Sequence, residues 1–82
     1  MKIGLIVIGD ELLKGETQDK NLFWLGKYLR SIGQKISETV IIPDSLKEIS
    51  STMKRFHEEF ELTIVSTVFP DFEITRFVIF FF

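Results

Sequence analysis

Residues 3 to 8 read Ile-Gly-Leu-Ile-Val-Ile, an apolar run interrupted by one glycine and closed by Gly9. A strand with one wet face alternates apolar and polar residues, because successive side chains point to opposite faces. This run does not alternate, so the strand it forms has to be covered on both sides. Cover on both sides is the condition of a central strand in a parallel sheet packed between helices. One short segment thus directs the chain to α/β architectures.

The segments that follow agree. Residues 10 to 20 are polar around Gly15, with Leu12 and Leu13 as apolar anchors, and read as a long loop of the kind that carries function. From Asn21 the period lengthens. Leu22, Leu25, Leu29 and Ile32 recur at helical spacing, Trp24 and Tyr28 widen the stripe, and Gly33 supplies a left-handed stop. Asn21 or Asp19 is the expected N-cap. Residues 35 to 42 alternate, with Ile36, Val40 and Ile42 on one face and Ser37 and Thr39 on the other, which predicts a strand nearer the sheet edge, ended by Pro43. Ser45 to Glu48 has the form of a capping box that opens a helix with apolar positions Leu46, Ile49, Met53, Phe56 and Phe60. Leu62 to Thr67 returns to strand character.

The order β, α, β, α, β calls for parallel strands joined by right-handed crossovers. The expectation is a three-layer, Rossmann-like βαβαβ half-domain with strand order 2-1-3 and a possible extra C-terminal strand. Ligands of such sheets bind outside the carboxyl ends of the strands.

Composition narrows the partners. A net charge of -2 leaves no basic footprint for nucleic acid, and the chain has no cysteine, hence neither disulfides nor thiolate metal ligands, in keeping with a reducing cytoplasm. The apolar segments at either end are shorter than the roughly 20 residues that span a bilayer, so no membrane partner is expected. Neither the dinucleotide fingerprint nor a P-loop is present. His57, the only histidine, lies within the mixed-sign run 54 to 61 and reads as a surface group; no Ser-His-Asp arrangement is supported. The remaining chemistry is acidic: Asp10 and Glu11 after the first strand, Asp19 in the loop, Asp44 after the second strand, and Asp71 with Glu73 beyond the third. Carboxylates gathered from separate strand ends suit a hydrated Mg²⁺ or similar divalent ion holding a phosphorylated ligand, although such residues are also common in loops and Asp44 suits a helix cap.

The same residues carry a resemblance. Gly9, Asp10, Glu11, Leu12, Leu13, Gly15, Asp19 and Asn21, followed by the helix 22 to 33, resemble the opening of the molybdopterin-binding domain family, above all the N-terminal domain of its competence/damage-inducible protein A branch. Residues 40 to 44 and 62 to 67 are similar to the family's second and third strands. The resemblance covers residues 1 to 67 and implies a domain that binds molybdopterin or a related nucleotide-like phosphorylated ligand. It further implies involvement of magnesium, and in one branch a metal-dependent pyrophosphatase acting on ADP-ribose-like nucleotides. Carried over by position, Asp44 resembles the acidic residue at the ligand edge and is the candidate catalytic group. Gly9, Asp10, Glu11 and Asn21 resemble the first ligand loop, and Ser66 and Thr67 the approach to the second.

After its third strand the family has a glycine-rich turn that lets backbone N–H groups close on an anion, since glycine has no Cβ and tolerates positive φ. Here the corresponding residues are Val68 and Phe69. Residues 69 to 76 still echo the family's proline, acidic pair and Thr-Arg, whereas 77 to 82 are six apolar residues without a counterpart. The expectation is therefore a partial domain over 1 to 67 and a divergent tail over 68 to 82, from a shortened gene product that binds without turnover. The alternatives are an active pyrophosphatase that has replaced the turn and a non-catalytic interaction fragment. An exposed apolar C-terminal edge would favour self-association.

Overall fold

The computed structural model describes the backbone of residues 1–9, 20–69 and 74–81, and side-chain surroundings for 1–9 and 24–67. Strands β1 (Ile3–Ile8), β2 (Glu38–Ile42), β3 (Leu62–Phe69) and β4 (Ile74–Phe81) alternate with helices α1 (Lys20–Ser31) and α2 (Leu46–Glu59), with β3 and β4 consecutive. The sheet order is β2-β1-β3-β4. β1 is parallel to both neighbours, with Ile6 opposite Val40 on one side and Val65 on the other. β4 runs antiparallel to β3 over its whole length, from Phe69 opposite Ile74 to Leu62 opposite Phe81. The expected α/β half-domain with order 2-1-3 is thus present, and the C-terminal residues extend it by a fourth strand.

The non-alternating run does what its composition requires. All six residues of β1 are buried. Ile3, Leu5 and Val7 join Leu25 and Leu29 of α1 with Leu62 and Ile64 of β3 on one face. Ile6 and Ile8 join Phe56, Phe60, Ile42 and Val65 on the other, with Val40, Ile49 and Met53 packed around them. Gly4 lies on this second face, directly beneath the Phe56 and Phe60 rings.

α1 ends as its glycine dictates. Gly33 takes φ +78; its N–H donates to the Arg30 carbonyl at 3.1 Å and that of Gln34 to the Leu29 carbonyl at 2.8 Å. Those two bonds define a Schellman stop. At its start the helix begins at Lys20, so of the two expected N-caps Asn21 sits inside the first turn and does not cap it, and Asp19, the residue before the helix, lies outside the described residues. The apolar stripe is also narrower than the sequence suggests. Leu25 and Leu29 are buried, but Trp24, Tyr28 and Ile32 are exposed, because a helix laid on a sheet covers only the arc that faces it. Trp24 and Tyr28 cover each other instead, their rings stacked at 5.7 Å and 7°.

Two details correct the reading of β2 and α2. Ile36 packs with the α1-side cluster, away from Val40 and Ile42, since the strand starts only at Glu38 and two-residue alternation does not extend into the link before it. The Ser45–Glu48 capping box does not form. The Ser45 side chain makes no cap hydrogen bond, and the Ser45 N–H that Glu48 would accept already donates to the Pro43 carbonyl at 2.8 Å. Leu46, first in the apolar repeat of α2, is 82% exposed.

α2 is fastened to the edge strand β2 by Arg55, whose guanidinium donates to both carboxylate oxygens of Glu38, at 2.7 and 3.1 Å, and to Glu59 at 3.1 Å. The hydrogen bonds from Arg55 hold the Glu38 carboxyl below its ordinary value of 4.5, and Glu38 in turn raises Arg55. A carboxyl with a lowered folded-state pKa contributes fully above its unfolded value, and the contribution disappears as pH falls through the folded one. Melting curves of wild type and Glu38→Gln, followed by circular dichroism, are therefore separated at neutral pH and converge in acid. Both groups are solvated, so the separation is small and shrinks in high salt. A gap that persists unchanged at low pH would contradict this account.

Candidate functional site

The carboxyl ends of β1, β2 and β3 lie along one rim. Ile8 is opposite Ile42 on one side and Thr67 on the other. The chain leaves β1 toward β2 and leaves β3 toward β4, in opposite directions, so the exits of β1 and β3 flank the crevice where α/β sheets bind ligands. At strand spacings of about 4.8 Å the three exits span roughly 10 Å. Because α1 runs back between parallel strands, its N-terminus lies at this rim.

Four of the candidate residues fall here by strand register. Gly9 is buried directly after β1, and its N–H donates to the Ile42 carbonyl at 3.1 Å. That N–H prolongs the β1–β2 pairing, so Gly9 permits close approach without offering its amide. Asp44 is exposed, two residues beyond β2 and two before α2. Thr67 is half-buried opposite Ile8. Ser66 is 1% exposed, opposite Val7 in β1 and Phe77 in β4. It shares the α1 side of the sheet with Val7. Asn21 lies in the first turn of α1, and Asp10, Glu11, Asp19, Asp71 and Glu73 lie outside the described residues.

Two buried hydroxyls, those of Thr63 and Ser66, have no hydrogen-bond partner among the described residues. Leaving such a group unpaired costs about 1–3 kcal/mol, so each calls for an explanation. Thr63, opposite Gly4, is four residues and about 13 Å below the end of β3's parallel pairing with β1, deep under α2. Ser66 is one residue below that end. The sequence carries a trace of this distinction: Thr63, Ser66 and Thr67 are the polar residues in a strand otherwise made of Leu, Ile, Val and Phe, but pattern alone does not say which of them lacks a partner.

The acidic cluster suited to a divalent ion is not assembled among the described residues, where no group of three metal-ligating side chains occurs. Of its members only Asp44 is described, so no chemical step is routed through a metal. Among the described residues no helix is long and apolar enough to cross a membrane. His57 is exposed on α2, within the Arg55–Glu59 turn. The segment that differs most from expectation is the end of β3. Val68 and Phe69 continue the strand and pair with Thr75 and Ile74.

Comparison with known proteins agrees with this architecture. Residues 4–67 match the family model described as "Probable molybdopterin binding domain". The chain is 41% identical over 64 residues to a CinA-like protein of Salinibacter ruber, covering 78% of this chain and 16% of that protein. It is 36% identical over 62 residues to a protein of Caenorhabditis briggsae named "Probable FAD synthase", covering 76% of this chain and 12% of the relative. A CinA-like protein of Frankia casuarinae is 30% identical over 54 residues, 66% of this chain and 12% of its own length. The chain therefore spans less than a fifth of the length of each of these relatives. The match runs through β1, α1, β2, α2 and β3 up to the Ser66–Thr67 rim, and the chain belongs to the molybdopterin-binding domain family.

Proposed function

We propose that the rim between β1 and β3 binds a small phosphorylated ligand of the pterin or nucleotide class, and that it holds this ligand weakly and without turning it over. The observation that carries the reading is Ser66, whose hydroxyl is buried beside the crevice with no partner among the described residues. A phosphate oxygen lowered between the exits on the α1 side would accept that hydrogen, with the α1 N-terminus supplying a favourable field, while Thr67, opposite Ile8, offers its hydroxyl at the α2 side of the same strand end. Asp10, Glu11 and Asn21 belong to the first ligand loop in this reading. Asp44 is the acidic group at the far edge of the ligand, where a catalytic carboxylate would act. Relatives named for FAD synthesis put a nucleotide product in the same chemical class.

Weak binding follows from the end of β3. A backbone that grips an anion turns its N–H groups inward, and glycine makes that turn accessible. In this chain Val68 and Phe69 are drawn into the antiparallel pairing with β4, so their amides cannot converge on a phosphate. The competing reading is metal-dependent hydrolysis of ADP-ribose-type nucleotides.

Titration of ¹⁵N-labelled protein with ADP-ribose, with and without Mg²⁺, moves the amide signals of Ser66 and Thr67 with a dissociation constant in the millimolar range. No AMP is released. Ser66→Ala weakens this binding about tenfold, the loss expected for one hydrogen bond to a charged oxygen. The variant's thermal midpoint stays level or rises, because an unpaired hydroxyl has been removed. Signals that move only away from the rim would sink the binding site, and AMP release with Mg²⁺ or Co²⁺ would establish the hydrolytic reading instead.

A further inference from the structure

Among the described residues β4 has a strand neighbour on one side only. Its outer edge, eight residues of backbone with no strand partner among the described residues, reads Ile-Thr-Arg-Phe-Val-Ile-Phe-Phe, with a single charge and no proline. Natural edge strands carry lysines, prolines, bulges or inward charges that prevent pairing with another chain. β4 has one such guard at most, Arg76, near its beginning. The net charge of -2 also sets up little repulsion between copies.

We infer that β4 pairs with β4 of a second copy, antiparallel about a two-fold axis at Val78, so that the four strands of each copy form one continuous sheet. The geometry restricts the choice. β4 is straight enough to pair with β3 along its full length without a skipped residue, and a strand with such an edge is complementary to itself when reversed. In an antiparallel pair opposite residues are both hydrogen-bonded or both not. Outward-pointing amides must therefore meet outward-pointing amides, and the axis passes through a residue and never between two. Axes at Phe77 or Val78 each pair seven of the eight residues; other positions pair fewer.

Charge then selects between them. An axis at Arg76 would set two arginines directly opposite each other, which destabilises a sheet. An axis at Phe77 leaves the two Arg76 residues about 7 Å apart along the strands, within the screening length of about 8 Å, whereas the axis at Val78 separates them by about 14 Å. At Val78 the pairs become Arg76 with Phe80, Phe77 with Ile79 and Thr75 with Phe81. This inference is independent of the ligand rim, which lies at the carboxyl ends of β1 and β3 and not along the outer edge of β4.

The chain has no cysteine, so single introduced cysteines report the pairing directly. Under mild oxidation Val78→Cys forms a disulfide-linked dimer at least tenfold faster than Thr75→Cys, whose two copies lie six residue steps apart in this register. In sedimentation velocity the wild-type protein shows a species of twice the 9.6 kDa chain mass that grows with concentration in the micromolar range. Val78→Lys, which sets two lysines opposite each other at the axis, shifts it to monomer with the circular dichroism spectrum unchanged. A wild-type protein that stays monomeric at these concentrations overturns the proposal. So do equal cross-linking at positions 75 and 78, the mark of unspecific aggregation, and fastest cross-linking through Phe77→Cys, which moves the axis.

Discussion

Phe56→Ala lowers the free energy of unfolding by about 3–5 kcal/mol, the usual cost of removing a fully buried aromatic ring. The ring is 0% exposed. It packs against Phe60 with centroids 4.7 Å apart and lies within the cluster of Ile6, Ile8, Ile42 and Val65, so one truncation opens the contact between α2 and three strands. A domain of this size has only about 5–15 kcal/mol in total, and each kcal/mol moves its thermal midpoint by about 4–8 °C. The midpoint therefore falls by more than about 12 °C. Leu46 belongs to the same apolar repeat of α2 but is 82% exposed, and Leu46→Ala changes stability by less than about 0.5 kcal/mol. Urea unfolding followed by circular dichroism compares the two variants; equal losses would show that α2 does not bury the face described here.

Gly4→Ala, the addition of one methyl group, costs about 1–3 kcal/mol by overpacking. A Cβ at Gly4 would meet two atoms of the Phe56 ring at 2.6 and 2.7 Å and one of Phe60 at 2.8 Å, and those rings have buried neighbours behind them. The cause is contact and not backbone freedom, because Gly4 lies inside an extended strand that any residue can adopt. The double variant Gly4→Ala/Phe56→Leu separates the two: a smaller ring substitute makes room for the methyl, so the double loss is less than the sum of the single ones. Strict additivity would mean that the glycine serves some purpose other than letting α2 approach the sheet.

The fold was legible from local pattern because each element announces itself within its own window. The continuous apolar run of β1, the helical spacing of Leu25 and Leu29, the stop at Gly33 and the stripe from Ile49 to Phe60 are all set by neighbours close in sequence. They suffice for the order 2-1-3, since parallel strands joined by helices admit few arrangements. The capping box was legible and did not form, because the Ser45 amide had already been taken by the turn at Pro43. Trp24, Tyr28 and Ile32 fit the period of α1 and remain outside, because the width of the buried arc depends on what the helix lies against.

The ligand rim divides in the same way. Gly9, Asp44, Ser66 and Thr67 can be marked as strand-end residues from spacing, since each follows or closes an apolar segment. That Gly9 spends its amide on Ile42, that at the rim Ser66 and not Thr67 is the buried hydroxyl without a partner among the described residues, and that Val68 and Phe69 continue as strand are decided by register with segments up to tens of residues away. Periodicity records which side of an element is apolar. Which hydrogen bond or neighbour each residue finds there is a property of strands brought together from distant parts of the chain, and it comes into being only when they pair.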